Sequence, residues 1–540
     1  MMASSRIWSS IALISLLLTI PVSFEAKTPT VNARSVVQPS LTLDPVISFT
    51  WGPSYDPRPG YAAAFGDNMN PGNGITFTIP PCSDGLPGLE KGMCTPDRKF
   101  LDLENTLIPC PLNNLTTCIE QVEIRQSSGA WTSASFESEA FGHEISWPAF
   151  PTFDIGPSFN SSIYTYTELD TGITRKLFVR GSYEVTYSTI SKGPAQYEIE
   201  ISSVVKSTRS ECTTDYMNDP TKGFALKNTR GSSSVCYQRV PFNNRIRLTL
   251  NMKTPPSGWI DTYLGNADAI LVKDAGGLTS SKLTIEGDPV VLPTAKLSLL
   301  HSDIESRNLL CGSSLPKGLN WCSDANKLWS SIGFSTTSTN GLDPFGTFKE
   351  ALRLFPQQLE KSATEYPTWR VRLRRNDNRT LGNCPTPDGI YGVIGGNALL
   401  VSSSIPIWNT ATQTLEFSVA SPHFRTDGQI AQGFYEMQIN EKVAQCLWGT
   451  TITPQNVGIS VLDENGKSKI STATIAVNNG MIIFRATGFS YSTTTIKASF
   501  KKETGVMPNS TVKRLTCTKG RISKVQPRGI TKCPKGWKKK

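Results

Sequence analysis

Apolar residues recur at every second position along much of this chain. Tyr183, Val185 and Tyr187 alternate with polar neighbours, as do Tyr197, Ile199 and Ile201, and Ile246, Leu248 and Leu250. Successive side chains of an extended backbone point to opposite sides, so this alternation predicts strands with one buried face. Turn clusters punctuate the strands at Lys192-Gly193-Pro194, Pro255-Pro256-Ser257-Gly258 and Asp274-Ala275-Gly276-Gly277. The signal is densest from 367 to 500. There Leu415, Phe417 and Val419 alternate, then Tyr435, Met437 and Ile439, then Val457, Ile459 and Val461. Asn465-Gly466 and Asn479-Gly480 each lie between strand-like runs and predict type I′ hairpins, because both residue types tolerate positive φ. Several short strands joined by such turns predict a β-sandwich for this stretch.

One segment departs from period two. Asp324 to Trp329 and Thr347 to Phe355 carry helical spacing, with Phe348, Leu352 and Phe355 on one face, and Pro356 is expected to stop or kink the second helix. Residues 27–105 are rich in Pro, Gly and Asn and show little periodicity. The expected fold class is mainly β and multi-domain, with β-sandwich-like domains in series, a small helical insert and a short basic C-terminal tail. Its boundaries are a signal peptide at 1–26, an irregular region at 27–105, β domains at 106–206 and 207–300, a helical insert at 301–366, a β-sandwich domain at 367–500 and a basic tail at 501–540.

The first 26 residues change the picture from fold to location. Arg6 precedes an apolar run from Ile7 to Ile20, followed by Pro21 and small or polar residues to Ala26. That layout is a secretory signal peptide, and its core is short for a transmembrane helix. No later stretch is apolar enough to span a bilayer, so the mature chain is expected to be extracellular, secreted or attached to the cell surface.

Export makes disulfides the expected state of the twelve cysteines, which are Cys82, Cys94, Cys110, Cys118, Cys212, Cys236, Cys311, Cys322, Cys384, Cys446, Cys517 and Cys533. Sequence alone leaves the connectivity open. Closeness along the chain favours pairing each with its neighbour, 82 with 94 and so on to 517 with 533. No CxxC pair occurs and the chain has three histidines, so no metal site is expected.

The formal net charge of +10 lies in one place. Residues 513–540 hold 11 Lys or Arg and no acidic residue, which leaves 43 basic against 44 acidic residues before them. If Cys517 and Cys533 pair, they close a loop carrying Lys519, Arg521, Lys524, Arg528 and Lys532, with Lys535, Lys538, Lys539 and Lys540 following beside Trp537. Clustered cations attract polyanions, and the partner expected outside a cell is an anionic wall polymer or polysaccharide. No nucleic-acid recognition motif accompanies the charge, so specific nucleic-acid binding is not expected.

Several motifs carry a resemblance. They are Trp369-Arg370-Val371-Arg372, Cys384, Gly392-Val393-Ile394-Gly395-Gly396-Asn397-Ala398, Ser421-Pro422-His423-Phe424, Asp427-Gly428, Gly433-Phe434-Tyr435, Cys446-Leu447-Trp448-Gly449 and Gly488-Phe489-Ser490-Tyr491-Ser492. Together they resemble a β module of uncharacterised exported actinobacterial surface proteins. The tail from Leu515 to Lys540 is similar to short basic C-terminal segments of such proteins. The two resemblances cover about 30% of the chain. They imply an exported β protein of the cell surface, and no reaction.

Catalytic templates find no footing. His423 lies four residues before Asp427, but no Gly-x-Ser-x-Gly elbow supplies a nucleophile, and a turn-stabilising role is expected. His301 reads as part of a helix cap and His143 is uninformative. Asp67-Asn68-Met69-Asn70 places Met69 where a calcium loop needs an oxygen ligand. Leu292-Pro293-Thr294-Ala295 lies mid-chain, which is the wrong place for a wall-sorting signal. Arg370, Arg372 and Arg374 share one strand face, read as the wet face of an edge strand or as an anion-binding row. Glycosylation sequons start at Asn114, Asn160, Asn378 and Asn509. The expectation is a secreted or cell-surface structural or binding protein with no cofactor, no catalytic residue and a surface-retaining tail. The alternative is a secreted hydrolase of polysaccharide or ester bonds, which needs as little as two facing carboxylates.

Overall fold

Nine strands close into a ring. They are β1 (Cys118–Arg125), β2 (Trp131–Glu139), β3 (Ser162–Thr167), β4 (Thr174–Ser188), β5 (Lys192–Ser207), β6 (Ile246–Met252), β7 (Gly258–Lys273), β8 (Ser281–Leu300) and β9 (Thr364–Arg375). Around the barrel the order is β1-β2-β3-β4-β5-β9-β7-β8-β6 and back to β1, every pair antiparallel. The structure is a computed structural model that describes residues 46–52, 63–65, 100–140, 149–188, 192–207, 224–226, 235–273, 281–303, 331–335, 344–375, 384–449, 457–500, 516–525 and 533–539, with short breaks inside some runs. The protein is mainly β, as the alternation predicts.

An odd ring of straight antiparallel strands cannot close, because strand direction must alternate. It closes here at a three-way corner. Residues 258–263 of β7 pair with β9 and residues 264–273 with β8, while Val290–Thr294 of β8 pair with Thr364–Thr368 of β9. Each of the three strands bends and gives one half to each of the other two. The corner is tight: a Cβ on Gly287 would stand 2.8 Å from that of Leu264, and the Trp369 indole N–H donates to the Gly287 carbonyl at 3.2 Å. Ile124, Ile199, Leu248, Leu250, Ile285 and Val371 are among the residues that fill the interior, so the barrel is a packed core.

A second core follows in sequence. Strand β10 (Ile390–Gly396) pairs in parallel with β7 and carries the barrel sheet onward through β12 (Gln432–Asn440) and β15 (Met481–Ser490) to β14 (Thr472–Asn478). Facing it is a five-stranded sheet built on β11 (Thr414–Ala420), β13 (Val457–Asp463) and β16 (Thr493–Phe500). Phe417, Val461 and Ile496 from this sheet meet Tyr435, Met437 and Phe484 from the other. Gly392 is required where β10 lies on β7, since a Cβ there would come within 2.2 Å of the Trp259 ring. Pairing thus joins strands from three of the expected segments into one continuous sheet, and residues 45–540 cluster as one compact unit.

Other expectations are adjusted by the pairing. The region expected to be irregular contributes a strand, Val46–Gly52, which pairs with the end of β8 and, in parallel, with Ser331–Ser335 from the expected helical insert. Trp51 from that strand packs on Phe348 in α1 (Pro344–Leu354). Pro356 interrupts α1 as expected and sits at the first position of α2 (Pro356–Leu359), where its missing N–H costs nothing. The 324–329 helix lies outside the described residues. Lys192-Gly193-Pro194 is not a turn but the start of β5, where a bulge between Glu184 and Val185 accommodates the proline. Pairing of Asn478 with Met481 makes β14 and β15 a hairpin, and Gly480 in its turn has φ +74°. No helix among the described residues is long and apolar enough to cross a membrane.

Among the described residues three neighbour disulfides are present: Cys110–Cys118, Cys384–Cys446 and Cys517–Cys533. The second ties the chain before β10 to α3 (Glu441–Trp448), whose N-terminus is capped by the Asn440 side chain accepting from the Lys442 N–H. Cys82, Cys94, Cys212, Cys311 and Cys322 lie outside the described residues, as does the expected signal peptide.

Candidate functional site

The described residues of the basic tail form a small sheet of their own. Thr516–Lys519 is the middle of three short antiparallel strands, flanked by Ile522–Val525 and Lys538–Lys539. The disulfide of the buried Cys517 to Cys533 closes it. Register sets positions 524, 517 and 539 in one cross-strand row, so positions 519, 524 and 539 share a face and 538 lies on the other. Lys519, Lys535, Lys538 and Lys539 are exposed, Trp537 is half-buried beside them, and none of these four lysines forms an ion pair among the described residues. Arg521, Arg528, Lys532 and Lys540 lie outside the described residues.

The arginine row is placed differently from expectation. Strand β9 is no edge, because β5 flanks it on one side and β7 on the other. Trp369, Val371 and Leu373 point into the barrel, while Arg370 and Arg372 are only 1% exposed on the outer face. Acids on the neighbouring strands meet them: Glu198 and Glu200 on β5 and Asp261 on β7. Arg370 pairs with Glu198 at 2.5 Å, Arg372 with Asp261, and Arg239 with Glu200 at 3.1 Å. The Arg370 guanidinium also lies 6.0 Å over the Tyr263 ring. The row is therefore a buried ionic layer on the back of the barrel wall. Burial on both faces of a sheet forces any charge there to find an opposite charge. The signal was present in sequence, since Glu198-Ile199-Glu200-Ile201 repeats the period of Arg370-Val371-Arg372-Leu373 with opposite charge. Nothing local shows that these two segments are neighbours. Arg374 is the last residue but one of the strand, opposite Trp259 on β7, and its side chain is not among those described.

Burial alone would raise the Glu198 carboxyl, but Arg370, Arg180 and Arg372 outweigh it and hold it at about 2, against a usual 4.5. A carboxylate depressed by folding contributes stability that is complete above its unfolded value and is lost as pH falls through the folded one. The stability difference between the native protein and Glu198→Gln is therefore expected to be constant above about pH 4.5 and to shrink toward pH 2. Urea unfolding of both proteins across that range checks this, and a difference independent of pH down to 2 contradicts it.

Beside the layer lies a small cavity lined by Asp261, Tyr263, Ile394, Phe417, Phe434 and Tyr435 among others. Burial, with the Asp261 carboxylate, pushes the Tyr435 hydroxyl well above its usual range. The space suits about one water.

His423 does what a turn residue does. Its Nδ1 lies 2.8 Å from the Tyr491 carbonyl, its ring stands edge-on to Phe424, and its own carbonyl accepts from the Ala431 N–H. Asp427 accepts from the Gln429 N–H at 2.9 Å and so stabilises the loop. Leu292-Pro293-Thr294-Ala295 lies inside β8, paired with β9. His143, His301 and residues 67–70 are outside the described residues. Asn114 is exposed, and the other three sequon asparagines are not among the described residues. No group of acidic, histidine or cysteine side chains suited to a metal ion occurs among the described residues.

No family model matches this sequence, and no curated protein matches it.

Proposed function

We propose that this protein is an exported β-rich binding or structural protein, held at an anionic surface by its C-terminal tail. The observation that carries the reading is the disulfide-closed tail, which exposes Lys519, Lys535, Lys538 and Lys539 in a segment without a single acidic residue. The matching ligand is a phosphate- or carboxylate-bearing wall polymer or polysaccharide, because exposed lysines act on such chains as point charges. The signal-like N-terminus, the disulfides and the resemblance to exported actinobacterial surface proteins support the location. The two facing sheets between 390 and 500 support reading that stretch as a sandwich-like unit beside the barrel.

Deleting residues 513–540 is expected to shift the protein from the cell-surface fraction into the medium. A quadruple variant, Lys519→Glu, Lys535→Glu, Lys538→Glu and Lys539→Glu, is expected to do the same, while the four Arg replacements stay surface-bound. Added salt should release the native protein, since screening acts over about 10 Å at 0.1 M. Retention that survives both the deletion and the charge reversal would remove the tail's role.

A further inference from the structure

Strand β14 ends the sheet that runs from the barrel through β10, β12 and β15. Among the described residues it pairs on one side alone, with β15. Thr472, Ala473, Thr474, Ala476 and Val477 are all exposed, Val477 to 42%. Register sets Ala473, Ile475 and Val477 opposite Ala486, Phe484 and Ile482, three members of the second core. Ile475 is half-buried against that core, and the residues on either side of it in the row face solvent. The core row is unfinished at this edge.

Proteins normally blunt such an edge with lysine, proline or a bulge, because its free N–H and C=O groups pair with any extended chain. None of these devices is present. Residues 470–484 contain no charged residue and no proline, and the β14–β15 register runs without a shift. We propose that β14 pairs antiparallel with β14 of a second copy of this chain, continuing the sheet across a two-fold axis at Ile475. Charge selects this occupant. A two-fold contact sets each side chain against its own kind of surface, and a charge near the axis would be repeated across it. A wholly neutral strand meets that condition, whereas an edge shaped for a charged peptide would carry the opposite charge.

In this register Ala473 faces Val477 of the second copy and Ile475 faces its own equivalent, so the unfinished core row is covered. On the outer row Thr474 faces Ala476 of the second copy. Seven paired residues bury much less than the roughly 1,600 Å² of a standard interface, so the dimer is reversible and depends on concentration. The proposal is independent of the tail, and removing residues 513–540 leaves it unchanged.

Sedimentation of the purified full chain across a concentration series tests it. The native protein is expected to pass from monomer to dimer. Thr474→Lys with Ala476→Lys, both on the exposed outer row, sets two like-charge pairs across the axis and is expected to weaken association at least tenfold. Thr474→Glu with Ala476→Lys sets opposite charges across the same axis and is expected to restore it. Circular dichroism of the variants reports whether each keeps the native fold. A native protein that stays monomeric throughout, or a dimer that the two lysines leave intact, overturns the proposal.

Discussion

Asp261→Ala is expected to destabilise the protein by about 3–5 kcal/mol, because it leaves the Arg372 guanidinium buried without its carboxylate. Both side chains are nearly inaccessible, at 5% and 2% exposure, so water cannot take over the lost partner. The loss spreads beyond the pair. Arg372 sits directly across from Glu198 on β5 as well as Asp261 on β7, so an unbalanced charge there acts on both neighbours of β9. Removing both charges together, as Asp261→Val with Arg372→Met, is expected to cost much less than the single change, since desolvation of the pair opposes its attraction. Thermal unfolding of the three proteins at neutral pH gives the comparison. A single variant within about 0.5 kcal/mol of the native protein would mean that the layer is wetter than its burial implies.

Opening the Cys384–Cys446 disulfide is expected to have the next largest effect, about 4 kcal/mol on a chain-entropy argument, because it closes 62 residues. The same argument gives about 2.5 kcal/mol for Cys110–Cys118, whose separation is 8 residues. The larger bond also fixes α3, which seats Val443 and Ala444 in the second core. Paired Cys→Ala variants, melted without reductant, should rank in that order. The reverse ranking would show that the bonds act through the folded state rather than through the unfolded chain.

How far the residues speak for themselves differs from feature to feature. Tyr197, Ile199 and Ile201 reveal β5 because period-two alternation is a local property of an extended backbone. Cys110 and Cys118 reveal their bond because eight residues cannot separate far. Asn479-Gly480 reveals a hairpin because few residue pairs tolerate its turn. Pro194, by contrast, misleads. It sits in a strand because a bulge opposite Val185 absorbs it, and bulges depend on the partner strand. Val46 to Gly52 hides in a Pro- and Gly-rich stretch, and only its place between the end of β8 and Ser331–Ser335 makes it a strand.

The tail and the arginine row show the same division at the level of function. Lysines with no acid among them in 28 residues must face water or an anion whatever the fold, since burying them unpaired is too costly. Arg370 and Arg372 had two fates open to them, and the choice lay with acids 172 and 111 residues away in the chain.

The sequence by itself determined the β character and the concentration of positive charge in residues 513–540, and it favoured the neighbour disulfides that the structure describes, because each depends on residues close together along the backbone. The tertiary structure alone decided the ring of nine strands, its three-way corner, the burial of the arginines and the place of β14 at the edge of the described sheet. Those depend on which distant strands become neighbours, a choice set by the packing of whole sheets and written in no single segment.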